Sequence, residues 1–293
     1  MIISQIKGGL GNQMFQYAAG RVLAEKHGVE LCLDTSPFKN RDFHTGFELD
    51  RLFGIKNRIA SGKEIKDLIG WRSTRIGTYI LSKNFFSFLR GRRYYIEQGL
   101  FFDYSFFSLP PDCYITGYWQ SEGYFAGYED LIQNLFSFAP LVSERNKKFA
   151  DKIINCNSVS IHVRRGDYVT YPDTNKRHGT CPREYYENAI RYLNKFINDP
   201  VFFVFSDDMD WAINNIKIDR EHYFVNHNTG MESYNDMWLM SLCRHHVIAN
   251  STFSWWAAWL NPSQNKLVVS PKQWFRDPSR SSSKIIPDQW VRI

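Results

Sequence analysis

The feature that most restricts the fold is an alternation of short apolar runs with helical patterns in the second half of the chain. Val201–Phe205 is wholly apolar, as expected of a strand in the middle of a parallel sheet. Other strand-like runs occur at 159–164, 222–225, 246–249 and 266–270, and segments with apolar residues at helical spacing separate them. Strands that alternate with helices predict an α/β fold with a doubly wound parallel sheet.

The length of 293 residues suits two domains. Residues 1–35 form a second pattern of strand, glycine-rich turn, helix and strand, with Gly28 as the expected helix stop. A charged stretch separates this part from the clear alternation that begins near residue 158. We therefore predict an N-terminal domain at 1–145 and a C-terminal domain at 146–293.

The predicted strand at 159–164 ends in two arginines, a glycine and an aspartate. A guanidinium is a planar fork of donors that suits a phosphate or diphosphate, and ligands bind at the carboxyl ends of strands in open α/β sheets. Because side chains alternate along a strand, Arg164 and Arg165 should face opposite ways, one toward a ligand and one bracing the loop beside Asp167. We hypothesise that this edge binds the diphosphate of a nucleotide-sugar. A surface salt bridge between arginine and aspartate explains the same residues equally well.

Polar clusters follow three of the predicted strands, at 162–167, 206–208 and 250–254. The carboxyl ends of parallel strands lie on one edge of a sheet, so these clusters should converge on one ligand site. Asp207 or Asp208 can accept hydrogen bonds from a guanine base or from ribose hydroxyls. Helix capping is the competing explanation for these aspartates.

The third cluster places Asn250, Ser251 and Thr252 at the start of an apolar helix, with Ser254 in its first turn. Backbone N–H groups at the amino end of a helix can bind phosphate. Capping of that helix is again the alternative, and both explanations can hold together.

The N-terminal glycine-rich turn at 8–11 lacks the third glycine of a dinucleotide-binding fingerprint, because Met14 stands at that position. We therefore expect close approach of this backbone to some ligand or to the other domain, with a simple tight turn as the alternative. Residues 115–122 combine aromatic and polar groups, and Gln120 and Glu122 are candidate contacts to a polar ligand. A half-buried strand end is the competing interpretation.

Composition excludes several other classes of protein. The five cysteines are scattered without a CxxC pair, so neither a zinc site nor a disulfide framework is predicted. Asp208-Met209-Asp210 has the DxD form of some metal sites, but Asp210 should already lie in a helix, and we predict no metal. The net charge of +6 favours an anionic partner. The sequence lacks the long basic stripe that is typical of nucleic-acid binding.

A basic and aromatic patch combines the arginines of 90–93 with the phenylalanines of 85–88. Such a patch can rest on a membrane with anionic lipids, or it can be a solvated helix end with its apolar face packed inward. The sequence has no run of ~18 apolar residues and no signal-peptide pattern. We therefore expect a cytoplasmic protein, with peripheral contact to the cytoplasmic face of the inner membrane as an open alternative.

Five motifs in this order resemble those of the bacterial α1,2-fucosyltransferases of glycosyltransferase family 11. They are Gly8–Tyr17 (GGLGNQMFQY), Tyr118–Glu122 (YWQSE), His162–Tyr168 (HVRRGDY), Phe205–Asp208 (FSDD) and Asn250–Leu260 (NSTFSWWAAWL). The resemblance implies a GT-B fold, in which two Rossmann-like domains with parallel sheets face a central cleft. It also implies that L-fucose moves, with inversion, from GDP-β-L-fucose to the 2-hydroxyl of a terminal galactose. No cofactor or metal is implied.

The acceptor implied is a galactose-terminated oligosaccharide, such as an O-antigen or capsule precursor, which can be lipid-linked. A non-catalytic module that binds a guanine nucleotide or a sugar is the alternative function. A more distant resemblance to the core α1,6-fucosyltransferase and to the rhizobial nodulation fucosyltransferase implies individual roles. Arg164 would contact the diphosphate, His162 would lie near guanine, and Asp207 would accept the guanine N1 and N2 hydrogens.

The same resemblance places Ser254 and Thr252 at phosphate, beside the other candidate donor-binding residues Arg165, Asp208, Asn250 and Ser251. The candidates for a catalytic base are Asp167, Glu122 and His162, with Arg164 as the group that stabilises the leaving diphosphate. We assign Gly9, Asn12, Gln13 and Gln120 to the acceptor or fucose side, from the other domain.

Overall fold

The computed structural model describes residues 1–39, 46–99, 102–138, 143–277 and 284–293. The chain divides into two compact units: the first is Met1–Ser137 with Ser283–Ile285, and the second is Phe138–Ser282 with Ile286–Ile293. The division precedes the helix Glu144–Ile154, whereas residue 145, the boundary expected from the sequence, lies inside that helix.

The first unit has a parallel sheet of five strands in the order β3-β2-β1-β5-β4. Its strands are β1 (Ile2–Gln5), β2 (Leu31–Asp34), β3 (Arg58–Ile59), β4 (Tyr94–Ile96) and β5 (Cys113–Thr116). Its helices are α1 (Leu10–His27), α2 (Leu49–Phe53), α3 (Gly62–Ile69), α4 (Arg75–Leu81) and α5 (Glu129–Leu135). Short 3₁₀ helices occur at Ser36–Phe38, Gly70–Ser73, Asn84–Leu89, Tyr104–Ser108 and Glu122–Phe125.

The second unit has a parallel sheet of six strands in the order β11-β10-β9-β6-β7-β8. Its strands are β6 (Asn157–Val163), β7 (Pro200–Ser206), β8 (His222–Val225), β9 (His245–Val247), β10 (Val268–Ser270) and β11 (Val291–Arg292). Its helices are α6 (Glu144–Ile154), α7 (Gly166–Thr170), α8 (Pro172–His178), α9 (Arg183–Leu193), α10 (Met209–Asn215), α11 (Tyr234–Leu242) and α12 (Thr252–Leu260), with a 3₁₀ turn at Gly230–Glu232.

The five strands predicted in the second unit are confirmed to within two residues at each boundary, and helices separate them as expected. The apolar run of β7 supplies a buried central strand, and the predicted strand His222–Val225 is β8. The segment after Arg165, expected to be a loop, forms α7 and α8 instead. These helices are short and largely polar, so they lack the repeated apolar face by which a helix is recognised in a sequence.

Helix α12 is apolar around most of its circumference, and Trp255, Trp256 and Trp259 are all buried. A helix of this kind is stable only inside a core. Its burial fixes its amino end, which follows β9 through a loop of a few residues, at the carboxyl edge of the sheet. That placement matters because the amino end carries the positive pole of the helix dipole.

Candidate active site

Strands β9, β6 and β7 are neighbours in the second sheet, and the three polar clusters follow their carboxyl ends. The clusters touch one another. The Arg165 Nε donates to Asp208 Oδ2 at 3.0 Å, which joins the first cluster to the second. The Tyr168 hydroxyl donates to the Asn250 carbonyl at 3.2 Å, which joins the first to the third. One continuous polar site therefore lies at this edge.

Arg164 lies between two carboxylates. Its Nη2 is 2.7 Å from Asp167 Oδ1 and its Nη1 is 3.1 Å from Asp207 Oδ2. Burial opposes the charge of Arg164, but Asp207 and Asp167 outweigh it and raise the pKa of the guanidinium. The side chain retains 28% exposure. Arg164 is thus a charged, oriented donor that a solvent-borne anion can reach.

Arg165 has a different environment. Besides its ion pair with Asp208, its guanidinium carbon lies 4.2 Å from the centre of the Trp211 ring. Asp208 also caps α10, because its Oδ1 accepts the Trp211 N–H at 3.2 Å. Arg165 and Asp208 therefore brace the loop, in line with the expectation that the two arginines serve different tasks.

Both oxygens of the Asp207 carboxylate have partners. Its Oδ1 accepts the Arg165 backbone N–H at 2.8 Å, and its Oδ2 contacts Arg164. A Cβ atom on Gly166 would lie 2.6 Å from that Oδ2, so any larger residue would force the carboxylate to move. Each carboxylate oxygen has a second lone pair, which leaves Asp207 able to accept further hydrogen bonds from a base.

His162 lies on β6 and is only 4% exposed. Burial lowers the pKa of His162 to about 4; Arg164 adds to this effect and Asp207 opposes it. An imidazole with this pKa is neutral and a poor proton acceptor near pH 7, which argues against His162 as the catalytic base. Its Nδ1 has no hydrogen-bond partner among the described residues, so it can pair with a polar atom of a ligand.

The third cluster is largely occupied by structural bonds. The Asn250 Nδ2 donates to the carbonyls of His178, Gly179 and Trp274 at 3.0, 3.2 and 3.1 Å. Ser251 caps α12 by accepting the Phe253 N–H, and the Ser254 hydroxyl donates to the Ser251 carbonyl.

The capping alternative therefore accounts for the side chain of Ser251, whereas the Asn250 side chain joins neighbouring loops and the Ser254 hydroxyl bonds within the helix end. Half-buried Thr252 is the first residue of α12. What the cluster offers an anion is mainly the amino end of the helix itself.

A family model described as Glycosyl transferase family 11 matches residues 1–293. The chain belongs to glycosyl transferase family 11. It is 36% identical to the O-antigen biosynthesis glycosyltransferase WbnK of Escherichia coli, over 99% of either chain. It is 35% identical to an α-1,2-colitosyltransferase of Escherichia coli, over 100% of this chain and 99% of that protein. It is also 25% identical to the galactoside 2-α-L-fucosyltransferase Sec1 of Mus musculus, over 100% of this chain and 74% of that protein.

Among solved structures, the family 11 enzyme resembles the fucosyltransferase NodZ from Bradyrhizobium, with a TM-score of 0.55 and 16% identity over 89% of this chain and 92% of NodZ. NodZ has been crystallised with GDP and soaked with GDP-fucose. The two parallel sheets and this likeness confirm the predicted GT-B class of α/β fold.

The residues that we assigned to the acceptor side of the family 11 enzyme lie in the first unit, around the start of α1. The Gln13 amide is buried and fully used, since it donates to the Gly8 and Gly46 carbonyls and accepts the Glu48 N–H. Gln13 is thus a structural residue that shapes the glycine-rich turn.

Gly9 precedes α1, and half-buried Asn12 accepts a hydrogen bond from Gln120 Nε2 at 2.8 Å. This pair joins the turn to the segment after β5. Glu122 lies further along and begins a 3₁₀ helix.

The sequence interpretation of this unit missed Glu97 and Lys7. The Glu97 carboxylate accepts the backbone N–H groups of Tyr118 at 2.6 Å and Trp119 at 3.1 Å. Burial raises the pKa of Glu97 to about 7, although both N–H groups and Lys7 oppose the shift. The Lys7 Nζ donates to Thr116 Oγ1 and lies 5.3 Å from the centre of the Tyr118 ring, and burial lowers the pKa of Lys7.

Glu97 holds the segment after β5 in an unusual conformation. Trp119 has a φ of 55°, a left-handed value that is costly for a bulky residue, and its side chain is fully buried. A Cβ on Gly117 would lie 2.5 Å from the Glu97 Cβ, so the two backbones approach closely. The result is that Tyr118, 38% exposed, stands at the carboxyl edge of this sheet beside Lys7.

No group of three or more His, Cys, Asp or Glu side chains that could hold a metal ion occurs in the described parts of the chain. Asp210, the second acid of the DxD string, lies in the first turn of α10.

Proposed function

We propose that this family 11 glycosyltransferase moves L-fucose from GDP-β-L-fucose to the 2-hydroxyl of a terminal galactose, with inversion at the sugar carbon. The observation that carries the proposal is Arg164, which is oriented by Asp167 and Asp207 at the edge where α12 begins. The names of the fucosyl- and colitosyltransferase relatives support the sugar class and the α1,2 linkage.

The proposed chemistry follows from charge. When the bond from fucose to the β-phosphate oxygen breaks, negative charge grows on the departing GDP while the sugar carbon gains oxocarbenium character. Arg164 and the positive end of the α12 dipole would stabilise that leaving group. The acceptor hydroxyl would attack from the opposite face of the sugar ring and lose its proton.

Binding of the guanosine would use the remaining residues of the same edge. The unpaired Nδ1 of buried His162 and the spare lone pairs of Asp207 suit the polar edge of a guanine base. Asp167 and Glu122 remain the candidates for the base, and Asp167 would have to act while paired with Arg164.

The acceptor would be a galactose-terminated oligosaccharide, such as a lipid-linked O-antigen precursor, because a whole-length relative is named for O-antigen biosynthesis. Its binding site would include Gly9, the Asn12–Gln120 pair and the Tyr118 ring of the first unit, since an exposed aromatic face suits the apolar side of a sugar. We further propose that no metal is required and that the enzyme works in the cytoplasm, in peripheral contact with the inner membrane.

The test is a transfer assay with purified enzyme, GDP-β-L-fucose and a panel of β-galactosides, with and without EDTA. We expect GDP release that depends on the galactoside, survives EDTA, and yields an α1,2-linked product by NMR. GDP-colitose, whose sugar lacks the 3-hydroxyl group of fucose, runs in parallel because of the colitosyltransferase relative. Preference for GDP-colitose would overturn the choice of fucose. Calorimetric binding of GDP without transfer from either donor would indicate the non-catalytic alternative.

A further inference from the structure

We propose that the first unit carries a docking surface for a membrane with anionic lipids, formed by residues 71–93. Its apolar members are Trp71, Ile76, Tyr79, Phe85 and Phe88, and its exposed cations are Arg75, Lys83, Arg92 and Arg93. This inference rests on the membrane contact proposed above and assigns it to named residues; it does not depend on the glycosyl transfer itself, because its residues are separate from the candidate active site.

The first observation is exposure. Ile76, Tyr79, Phe85 and Phe88 are 73%, 67%, 82% and 74% exposed. Single exposed apolar residues are ordinary, but four large ones within thirteen residues of sequence are a concentration of the kind that marks an interaction surface. The sequence left open whether the phenylalanines of 85–88 pack inward; for Phe85 and Phe88 the structure contradicts that alternative.

The second observation is that the surface is rigidly built. Ile76 and Tyr79 are three residues apart on α4, a spacing that puts side chains on one face of a helix. Phe85 and Phe88 belong to the 3₁₀ segment Asn84–Leu89, which is kinked at Phe86, and both are exposed. Each element therefore presents an apolar pair.

Two arginines fasten these elements together. The Arg90 guanidinium donates to the Leu81 carbonyl at 2.7 and 3.0 Å, and the Arg72 Nε donates to the Leu89 carbonyl at 2.8 Å. Arg90 is buried, so it is a structural part of the patch and not one of its surface cations, as the sequence had suggested. These hydrogen bonds fix the backbone of the segments that carry the exposed rings.

The third observation identifies the partner. Residues 70–96 contain six arginines and lysines, four of them exposed, and no aspartate or glutamate. One of the exposed four, Arg93, lies 3.6 Å from Asp112. Lys83 Nζ lies 5.1 Å from the centre of the Tyr79 ring, so charge and apolar surface are interleaved. Phenyl and alkyl groups without hydrogen-bonding atoms match acyl chains better than nucleic acid. Cations near an anionic membrane favour binding, and burial of the apolar side chains among the lipids favours it further.

The test is co-sedimentation of the full chain with phosphatidylcholine vesicles that contain or lack phosphatidylglycerol. We expect binding only to the phosphatidylglycerol vesicles, and weaker binding at high salt. Phe85→Ser/Phe88→Ser should lower the partition coefficient at least about tenfold, and Arg75→Ser/Lys83→Ser should also lower it. Phe196→Ser is the matched control, since Phe196 is 63% exposed in the second unit and should not affect binding.

Three results would overturn the proposal. Wild-type protein could fail to bind either vesicle, or Phe85→Ser/Phe88→Ser could bind as well as wild type. Light scattering could instead show a dimer that only Phe85→Ser/Phe88→Ser dissociates, in which case the surface joins two copies of the chain. Turnover on a soluble galactoside should stay at the wild-type level in the double variant, because the surface precedes β4 whereas Glu97 and Tyr118 follow β4 and β5. That readout also reports that the variant is folded.

Discussion

Replacing Arg164 by lysine tests the shape of the cation separately from its charge. In the structure the two terminal nitrogens of Arg164 contact different carboxylates, at 2.7 Å from Asp167 and 3.1 Å from Asp207. A lysine has a single nitrogen, so it can keep one of these contacts and loses the planar fork that suits a diphosphate. Arg164→Lys therefore keeps the charge of the site and removes its orientation.

The expected magnitude comes from the loss of one preorganised donor to a developing anion. Such a loss costs about 10²–10³ in rate, which is about 2.7–4 kcal/mol. The effect on stability should be much smaller, about 1 kcal/mol or less, because the Arg164 pairs are partly exposed and screened by solvent. A large loss of turnover with a nearly unchanged thermal midpoint is thus the expected signature.

The assay measures kcat and KM for GDP-fucose through GDP release at saturating galactoside, together with thermal unfolding. Arg183→Lys is the matched control: Arg183 makes an exposed pair with Glu187 at 2.6 Å on α9 and should change neither quantity. A kcat/KM for Arg164→Lys within about threefold of wild type would refute the reasoning, since the fork would then add nothing to catalysis.

Three further substitutions test other parts of the structure. Gly166→Ala places a Cβ 2.6 Å from Asp207 Oδ2, so the carboxylate must shift. We expect kcat/KM to fall roughly 10- to 100-fold, and an unchanged kcat/KM would contradict the importance of this close contact. The pKa of Glu97 is raised from 4.5 to about 7, so wild-type stability should fall as pH rises between these values, by up to about 1.4 kcal/mol per unit. Glu97→Gln should flatten that slope in urea titrations, and an unaltered slope would count against the buried carboxyl. Asn250→Ala removes the side chain that donates hydrogen bonds to three backbone carbonyls, so chemical denaturation should show about 1–3 kcal/mol of destabilisation. The KM for GDP-fucose should change only a few-fold. A large change of KM in a stable variant would instead indicate that Asn250 contacts GDP-fucose.

Much of the second unit could be predicted because its strands have clear local sequence patterns. The apolar run of β7 and the alternation of apolar and polar residues in β6 can be recognised from adjacent residues in the sequence. Because the sheet is parallel, it then brings the carboxyl ends of β9, β6 and β7 to one edge. The meeting of the three polar clusters follows from topology alone. It needs no knowledge of how the loops fold.

The individual partners within the site could not be predicted in this way. Whether Arg164 contacts Asp207 or Asp208 depends on loop dihedral angles and on the close packing of Gly166, and neither leaves a periodic signal. Glu97 is harder still, because its partners are backbone N–H groups of a segment that contains a tryptophan with positive φ. A single carboxylate that binds backbone shows no motif in a sequence.

A crystal structure of the enzyme with GDP measures the central contact directly. We expect phosphate oxygens of GDP to accept hydrogen bonds from the Arg164 guanidinium at about 3 Å, close to the amino end of α12. Both phosphorus atoms lying more than ~6 Å from that guanidinium would contradict the assignment of Arg164 as the group that stabilises the leaving diphosphate.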